Sequence, residues 1–532
     1  MPEDKNRYLP GLLIAVLFFG VGLAIWGDFG LTWDELSTQK GGTEAFENFP
    51  KLFVEPFQIR WTYHDLRGYY FVFDLLKHFT YNIGKFVSPD FSITDGHHLF
   101  NLILCSLSGF LLFLLVLRIT NENLYAICAT VSFLLYPYFI GHSQNNPKDV
   151  IPIFTFLLSF NALLCLIYEN RIRDVFYVAV SLALAYSSRV ISFSILPIFY
   201  AFTIVYKRKF LISTWKNQLA AILLSLPLFV LFWPYLWDAP VPKLIDLFNF
   251  ITAYIPKMGV LFHGDIFKPN QLPRYYFLTC LFYATPFLYL ISMIFAFLPN
   301  KNQSIKTIRG FGTIYVLFLV VVEWVAKSRY DEIRHFLVLI PGISILVSVG
   351  LVNTVGLIQN TFPSKHKKVF IILASAILVI YHGSILVYLH PYQYTFKNEL
   401  MTLLIGNDNH NYFGRDYWAS SYKNGAQWIN ANSKKDAKIV VTIAPHVARY
   451  YLKRAIIFEK ELDFCNDSRP LYLMYVTRPA YYDRLIRQIE NSPKLRPVYI
   501  IKKWNGTLLK IYHNRHMDDT KSQDPLMKSS GD

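Results

Sequence analysis

Apolar runs long enough to cross a bilayer recur from Leu9 to Leu389, and no other feature restricts the fold of this chain as strongly. Inside a bilayer the backbone must satisfy its own hydrogen bonds, so an uncharged apolar run of roughly 17–25 residues reads as a helical span. Windows near 9–27, 97–117, 124–141, 150–168, 175–188, 190–206, 218–237, 275–298, 310–326, 336–358 and 369–389 predict about eleven spans. A 53% hydrophobic composition and a mean hydropathy of +0.30 agree, because a soluble chain of 532 residues would divide into domains with less apolar content. Tyr186-Ser187-Ser188-Arg189 interrupts one long apolar stretch, which is either two short tilted helices or one span and a re-entrant piece. No small-residue cleavage site follows Leu9–Gly27, so this run is expected to be a true span.

The formal net charge of +16 would suggest nucleic-acid binding in a soluble protein. Here the basic residues concentrate in short loops between apolar runs, so membrane orientation explains them and no nucleic-acid partner is expected. Arg171 and Arg173, Lys207-Arg208-Lys209, Lys301 with Lys306 and Arg309, and Lys365 with Lys367-Lys368 fall on one side. The positive-inside rule makes that side cytoplasmic, with the N-terminus inside and the C-terminal tail outside a cell inner (plasma) membrane. The opposite face collects residues 28–96, 142–149, 187–189, 238–274, 327–335 and 390–532. Cys105, Cys128, Cys165 and Cys280 lie in apolar runs and Cys465 stands alone in the tail, so no disulfide framework is implied.

The expected organisation is a helical membrane domain over 1–389 with large outer loops 28–96 and 238–274, an outer α/β domain over 390–514, and a disordered tail over 515–532. In the outer loops, Leu76, Phe79, Ile83 and Phe86, and likewise Leu244, Leu247, Phe248, Ile251 and Ile255, repeat at helical spacing. Each stripe suits a helix lying in the membrane interface or one packed on neighbouring loops. In the tail, Val440-Val441, Leu471–Val476, Val498–Ile501 and Leu508–Tyr512 read as strands, and Ala419–Asn430 and Tyr481–Ile489 as helices. Asn505-Gly506 is a hairpin signal between the last two strands.

The polar residues of the outer face carry the chemistry. Asp34-Glu35 follows the first span; on a helix neighbours do not share a face, so one acid points into a site and the other away. A helix N-cap is the competing reading of Thr32-Trp33-Asp34-Glu35. The loop His142-Ser-Gln-Asn-Asn-Pro-Lys148-Asp149 packs ionisable groups between two spans, where such groups are kept for use. Arg189 is either a snorkelling arginine or part of the same site. Arg329, Arg334 and His335 crowd the start of the tenth span, and guanidinium groups at headgroup depth suit a phosphate. Asp331-Glu332 is expected to pair with Arg329 or Arg334. No P-loop, dinucleotide-binding glycine pattern, CxxC pair or HExxH motif is present.

Taken together, Leu31-Thr-Trp-Asp-Glu35, His97-His98-Leu-Phe-Asn101, His142–Asp149, Arg334-His-Phe-Leu-Val-Leu-Ile-Pro341, His390-Pro-Tyr-Gln393 and Asp416-Tyr-Trp418 resemble segments of the GT-C membrane glycosyltransferases. The resemblance is to the protein O-mannosyltransferase-like group that includes the lipid A aminoarabinose transferases. It implies Asp34 as catalytic base with Glu35 in support, and Asp149 as a second acid near the donor phosphate or a divalent metal. It also implies Arg334 on the lipid phosphate, with Lys148, Arg189, His142 and His335 beside it. His335 stands where the family usually has Tyr, and the tail has no MIR-type trefoil; both favour a bacterial-type relative.

The expected activity is inverting transfer of a sugar from a polyprenyl-phosphate donor to an acceptor hydroxyl of protein, lipid A or polysaccharide. A carboxylate takes the hydroxyl proton and cations stabilise the leaving phosphate. A transporter or flippase for a lipid-linked or anionic solute is the rival, but it would place ionisable groups near mid-membrane on broken helices.

Overall fold

A computed structural model of the chain describes residues 5–56, 59, 71–146, 148–327, 329–361, 364–406, 409–458, 462–493, 495–504 and 506–517. Pro147, Asn505 and residues 518–532 of the expected tail lie outside the described residues. The helical part opens with α1 (Leu9–Ile25), α2 (Glu35–Asn48), α3 (Phe71–Val87), α4 (Ile93–Thr120) and α5 (Asn123–Leu134). It continues through α6 (Pro137–Ser143), α7 (Ile151–Glu169), α8 (Ile172–Tyr186), α9 (Ile195–Tyr206), α10 (Arg208–Ser213), α11 (Trp215–Leu231) and α12 (Pro240–Ala253). After a short hairpin, β1 (Val260–Phe262) and β2 (Asp265–Phe267), come α13 (Tyr276–Ala284), α14 (Phe287–Phe295), α15 (Gln303–Val325), α16 (Leu339–Thr361) and α17 (Ser364–Leu389).

This is a multi-pass helical membrane architecture, but fewer helices cross by length than the eleven windows predict. Among the described residues five helices are long and apolar enough, and up to seven if each of two bent pairs is one span. The windows 124–141 and 275–298 are the bent pairs: α5 and α6 meet at 64°, and α13 and α14 at 100°. Pro137 and Pro286 stand at those breaks, and a proline removes a helical N–H while pushing the preceding residue out of helix. The interruption at 187–189 resolves as a break between two helices: α8 ends at Tyr186, a 3₁₀ turn covers Val190–Ser194, and α9 follows.

Local chemistry sets several helix ends. A capping box starts α4, in which Ser92 Oγ accepts from Asp95 N–H and the Asp95 carboxylate accepts from Ser92 N–H. Left-handed Asn121 and Asn170 end α4 and α7. These asparagines mark the end of the molecule that bears the basic loops: Arg7 donates to Asn121, and Asn217 to Asn170. In α3 the predicted apolar stripe is the exposed face, with Ile83 66% and Phe86 93% accessible, while Phe73, Asp74, Lys77 and His78 are buried against the protein. In α12, Val241, Ile245 and Phe248 face outward.

The tail is an α/β unit, as its sequence predicts. It comprises α18 (Glu399–Ile405), α19 (Tyr422–Asn432), β3 (Lys438–Val440), α20 (Pro445–Tyr451), β4 (Ala455–Ile457), β5 (Leu471–Val476), α21 (Arg484–Glu490), β6 (Leu495–Lys503) and β7 (Gly506–Met517). The sheet order is β4-β3-β5-β7-β6, parallel through the first three strands and antiparallel thereafter. Lys503 stands opposite Gly506 at the expected hairpin. The last strand runs to Met517, two residues past the predicted start of disorder. The tail core is not made by the tail alone: Leu31, from the loop after α1, is fully buried in it beside Trp418, Tyr422 and Tyr451.

Candidate active site

The loop between α1 and α2 is held in place from the tail. A Cβ on Gly30 would overlap the Ser420 carbonyl oxygen, so only glycine permits this approach. Leu31 N–H donates to Tyr451 Oη (2.7 Å), Trp33 N–H donates to the Trp418 carbonyl (2.9 Å), and His446 Nε2 contacts the Trp33 carbonyl (3.0 Å). From the membrane side, Asn145 Nδ2 donates to the Gly30 carbonyl (2.7 Å), and Thr32 Oγ1 donates to the Asn145 carbonyl (3.2 Å).

Asp34 stands at the N-cap position of α2, yet its side chain makes no capping hydrogen bond. Glu35 turns back to the preceding loop, its Oε2 accepting from Thr32 N–H (3.1 Å), while its Oε1 lies 2.8 Å from His98 Nε2. The two acids therefore part as expected: Asp34 faces a cavity of about 1170 Å³, and Glu35 is buried behind it and does not line that cavity. His142 is also absent from the lining of that cavity, and is bonded to Tyr417 Oη (3.0 Å) and Asn146 Nδ2 (2.8 Å).

The remaining predicted residues, Lys148, Asp149, Arg189, Arg334 and His335, line the same cavity as Asp34. Lys148 Nζ is 3.9 Å and an Arg334 terminal nitrogen 3.7 Å from Asp34 Oδ2, close enough to act electrostatically but beyond hydrogen-bond distance. Burial pushes the Asp34 carboxyl up, and Lys148, Arg334, Arg189 and Arg478 together overcome it and hold the pKa below the ordinary aspartate value. The acid is therefore ionised with its oxygens still accessible, its side chain being 28% exposed.

Asp149 is built into a different pair. Arg189 forms an ion pair with Oδ1, and Asn146 Nδ2 donates to Oδ2 (3.0 Å) while Asn146 Oδ1 accepts from the N–H groups of Lys148 and Asp149. Arg189 also donates to His335 Nδ1 (2.7 Å). Burial, then Arg334, Arg189 and Lys148, hold the His335 pKa well below the usual histidine value, so this ring is a neutral acceptor that orients Arg189 and adds no charge. The donor set does not form an all-protein cage for a metal ion. Both Asp149 oxygens are engaged, and among the described residues no group of three or more His, Cys, Asp or Glu side chains converges on a point.

Two further parts complete the site, the first anticipated in the sequence and the second not. The pair Asp331-Glu332 adopts left-handed backbone at both residues, φ 50° and 59°, a strain of about 1–3 kcal/mol each for non-glycine residues. It is over-determined by its partners. Tyr276 Oη accepts from Glu332 N–H (3.0 Å), Lys397 and Tyr138 bind the Glu332 carboxylate, and Asp331 pairs with Arg334 (3.4 Å) as expected. Arg329 pairs instead with Glu323 on α15 (2.7 Å). The second part is Arg478 of the tail, which lines the cavity and meets Asp331 at 2.6 Å. It follows β5 after 144 residues of chain beyond Arg334, and no spacing signals it.

The cavity is also lined by apolar side chains, among them Ile191, Phe193, Pro197, Leu247, Phe250 and Phe318. The site is thus a carboxylate with several cations about it, in a chamber that apolar side chains also line.

No protein-family model and no curated protein sequence matches the chain. Among solved structures, it is similar to ArnT from Cupriavidus metallidurans in the apo state, at 13% identity and a TM-score of 0.44 over 94% of this chain and 97% of that one. It is also similar to the oligosaccharyltransferase AglB from Archaeoglobus fulgidus in complex with an inhibitory peptide and a dolichol-phosphate, at 12% identity and a TM-score of 0.47, covering 90% and 70% of the two chains. A third likeness is to an Archaeoglobus fulgidus oligosaccharyltransferase tethered with an acceptor peptide, at 14% identity, a TM-score of 0.48 and coverage of 86% and 64%. The functional assignment rests on the cavity itself.

Proposed function

We propose that the protein is a GT-C-type membrane glycosyltransferase that moves a sugar, with inversion, from a polyprenyl-phosphate donor to an acceptor hydroxyl at the outer face of a cell membrane. The observation that carries this reading is Asp34, which makes no capping hydrogen bond and faces a chamber lined by Lys148, Arg189, Arg334 and Arg478 and by apolar side chains. The acceptor oxygen attacks the anomeric carbon from the face opposite the phosphate, Asp34 takes its proton, and the carbon–oxygen bond to phosphate breaks. The electron pair leaves with the lipid phosphate, whose growing charge Lys148, Arg334 and Arg189 stabilise. A phosphate departs without protonation, so a second acid residue is not required. The apolar lining accepts the first isoprene units of the donor, with α12 at the opening. Read by the positive-inside rule, the basic loops are cytoplasmic and the tail is outside, which supports a lipid-linked donor presented at the outer face.

The test is transfer from polyprenyl-phosphate sugars by purified Asp34→Asn protein. General-base catalysis of this kind supplies about 10²–10⁴ in rate, so transfer is expected to fall by that factor while the protein stays folded. An Asp34→Asn enzyme with wild-type turnover would overturn the assignment.

A further inference from the structure

We propose that Arg478, supplied by the C-terminal α/β domain, is a donor-phosphate-binding residue, and that Asp331 positions it together with Arg334. The inference rests on the glycosyl-transfer reading above and adds a cation from a part of the chain that the membrane domain does not contain. Asp331 has one carboxylate and serves two guanidinium groups: Oδ1 meets Arg478 at 2.6 Å and Oδ2 meets Arg334 at 3.4 Å. The left-handed backbone at 331 and 332 turns that carboxylate between them.

Arg478 is held as a binding arginine is held when its orientation matters. One terminal nitrogen donates to Asp331 and the other to the Tyr417 carbonyl (3.1 Å), and the guanidinium lies 4.4 Å from the Tyr481 ring and 5.1 Å from the Trp33 ring. Trp33 directly precedes Asp34, so the ring against Arg478 is joined to the base by one peptide bond. Arg189 is neutralised by Asp149. Around Asp34 this leaves Lys148, Arg334 and Arg478 against the carboxylates of Asp34 and Asp331, an excess of one positive charge. A monoanionic phosphodiester matches that excess, and the cluster gains further as the leaving phosphate takes up the second charge. Without Arg478 the cluster would carry no excess, and Asp331 would face Arg334 alone.

The experiment titrates full-length protein in lipid nanodiscs with polyprenyl monophosphate and, in parallel, with phosphate-free polyprenol. Arg478→Gln is expected to weaken monophosphate binding at least about tenfold, the loss of one charge-assisted contact, with polyprenol binding unchanged. Arg478→Lys keeps the charge without the planar fork and should fall between; it carries the test if the glutamine variant does not fold. Arg334→Gln is the reference. If it weakens monophosphate binding while both Arg478 variants bind as wild type, the role of Arg478 is overturned and the phosphate reading of the cavity stands. If Arg334→Gln also binds as wild type, the phosphate reading itself fails. Equal weakening toward polyprenol would make Arg478 a structural residue and overturn the inference.

Discussion

Asp34 and Glu35 are neighbours with opposite duties, and each duty has its own signature. The Asp34 carboxyl is raised by burial and lowered further by Lys148, Arg334, Arg189 and Arg478, so its folded-state pKa lies below the ordinary value. A depressed pKa keeps the reactive carboxylate present at neutral pH and loses it only as pH falls through the depressed value. The acid limb of the transfer rate is therefore expected below the usual aspartate range. Lys148→Gln removes the largest cationic contribution and should move that limb upward, which pH–rate profiles of the two proteins will read; coincident limbs would refute it. Glu35 is a structural acid by the same reasoning, accepting from Thr32 N–H and meeting His98 in a fully buried setting. Glu35→Ala is expected to cost about 2–4 kcal/mol by leaving those groups unpaired. Thermal unfolding in detergent checks it: a lowered Tm is expected for this variant and not for Asp34→Asn. Unchanged Tm with abolished turnover would return Glu35 to the chemistry.

Among elements, the ones legible in the sequence are those whose signal is local. Asn505-Gly506 and the short apolar run Leu471–Val476 each act within a few residues, and β5, β6 and β7 stand where such signals put them. Span counts were less legible, because hydropathy windows average across Pro137 and Pro286 and cannot register the bends of 64° and 100°. Helix α3 shows the limit of periodicity in another way. The stripe Leu76, Phe79, Ile83 and Phe86 predicts an amphipathic helix correctly, but the protein buries the opposite face, around Asp74, Lys77 and His78. The exposed stripe is expected to be the face offered to lipid. A nitroxide label at position 83 in nanodiscs is expected to be quenched by a lipid-soluble relaxant and shielded from a water-soluble one. The reverse pattern would place α3 in water.

At the scale of the whole molecule, the site is assembled from distant parts of the chain, and this is why its membership was only partly readable. Asp34, Lys148, Asp149, Arg189 and Arg334 announce themselves by standing as charges beside apolar runs. Arg478 has no such contrast, since it follows a strand in a polar domain where arginines are ordinary. Leu31 is the complementary case, an apolar residue of the first loop that completes the core of the tail. The tail and the first loop thus fold as one body, and the orientation of either fixes the other. Cys465 reports that orientation directly: it is the exposed thiol of the tail, whereas Cys105 and Cys280 are buried and Cys128 and Cys165 lie in apolar helices. With the basic loops inside, a membrane-impermeant maleimide added to intact spheroplasts should label Cys465, and Cys465→Ser should abolish the labelling. Labelling that appears only after the membrane is opened would put the tail in the cytoplasm, and Asp34 with it, because Leu31, Trp33 and Arg478 bind the two into the same side.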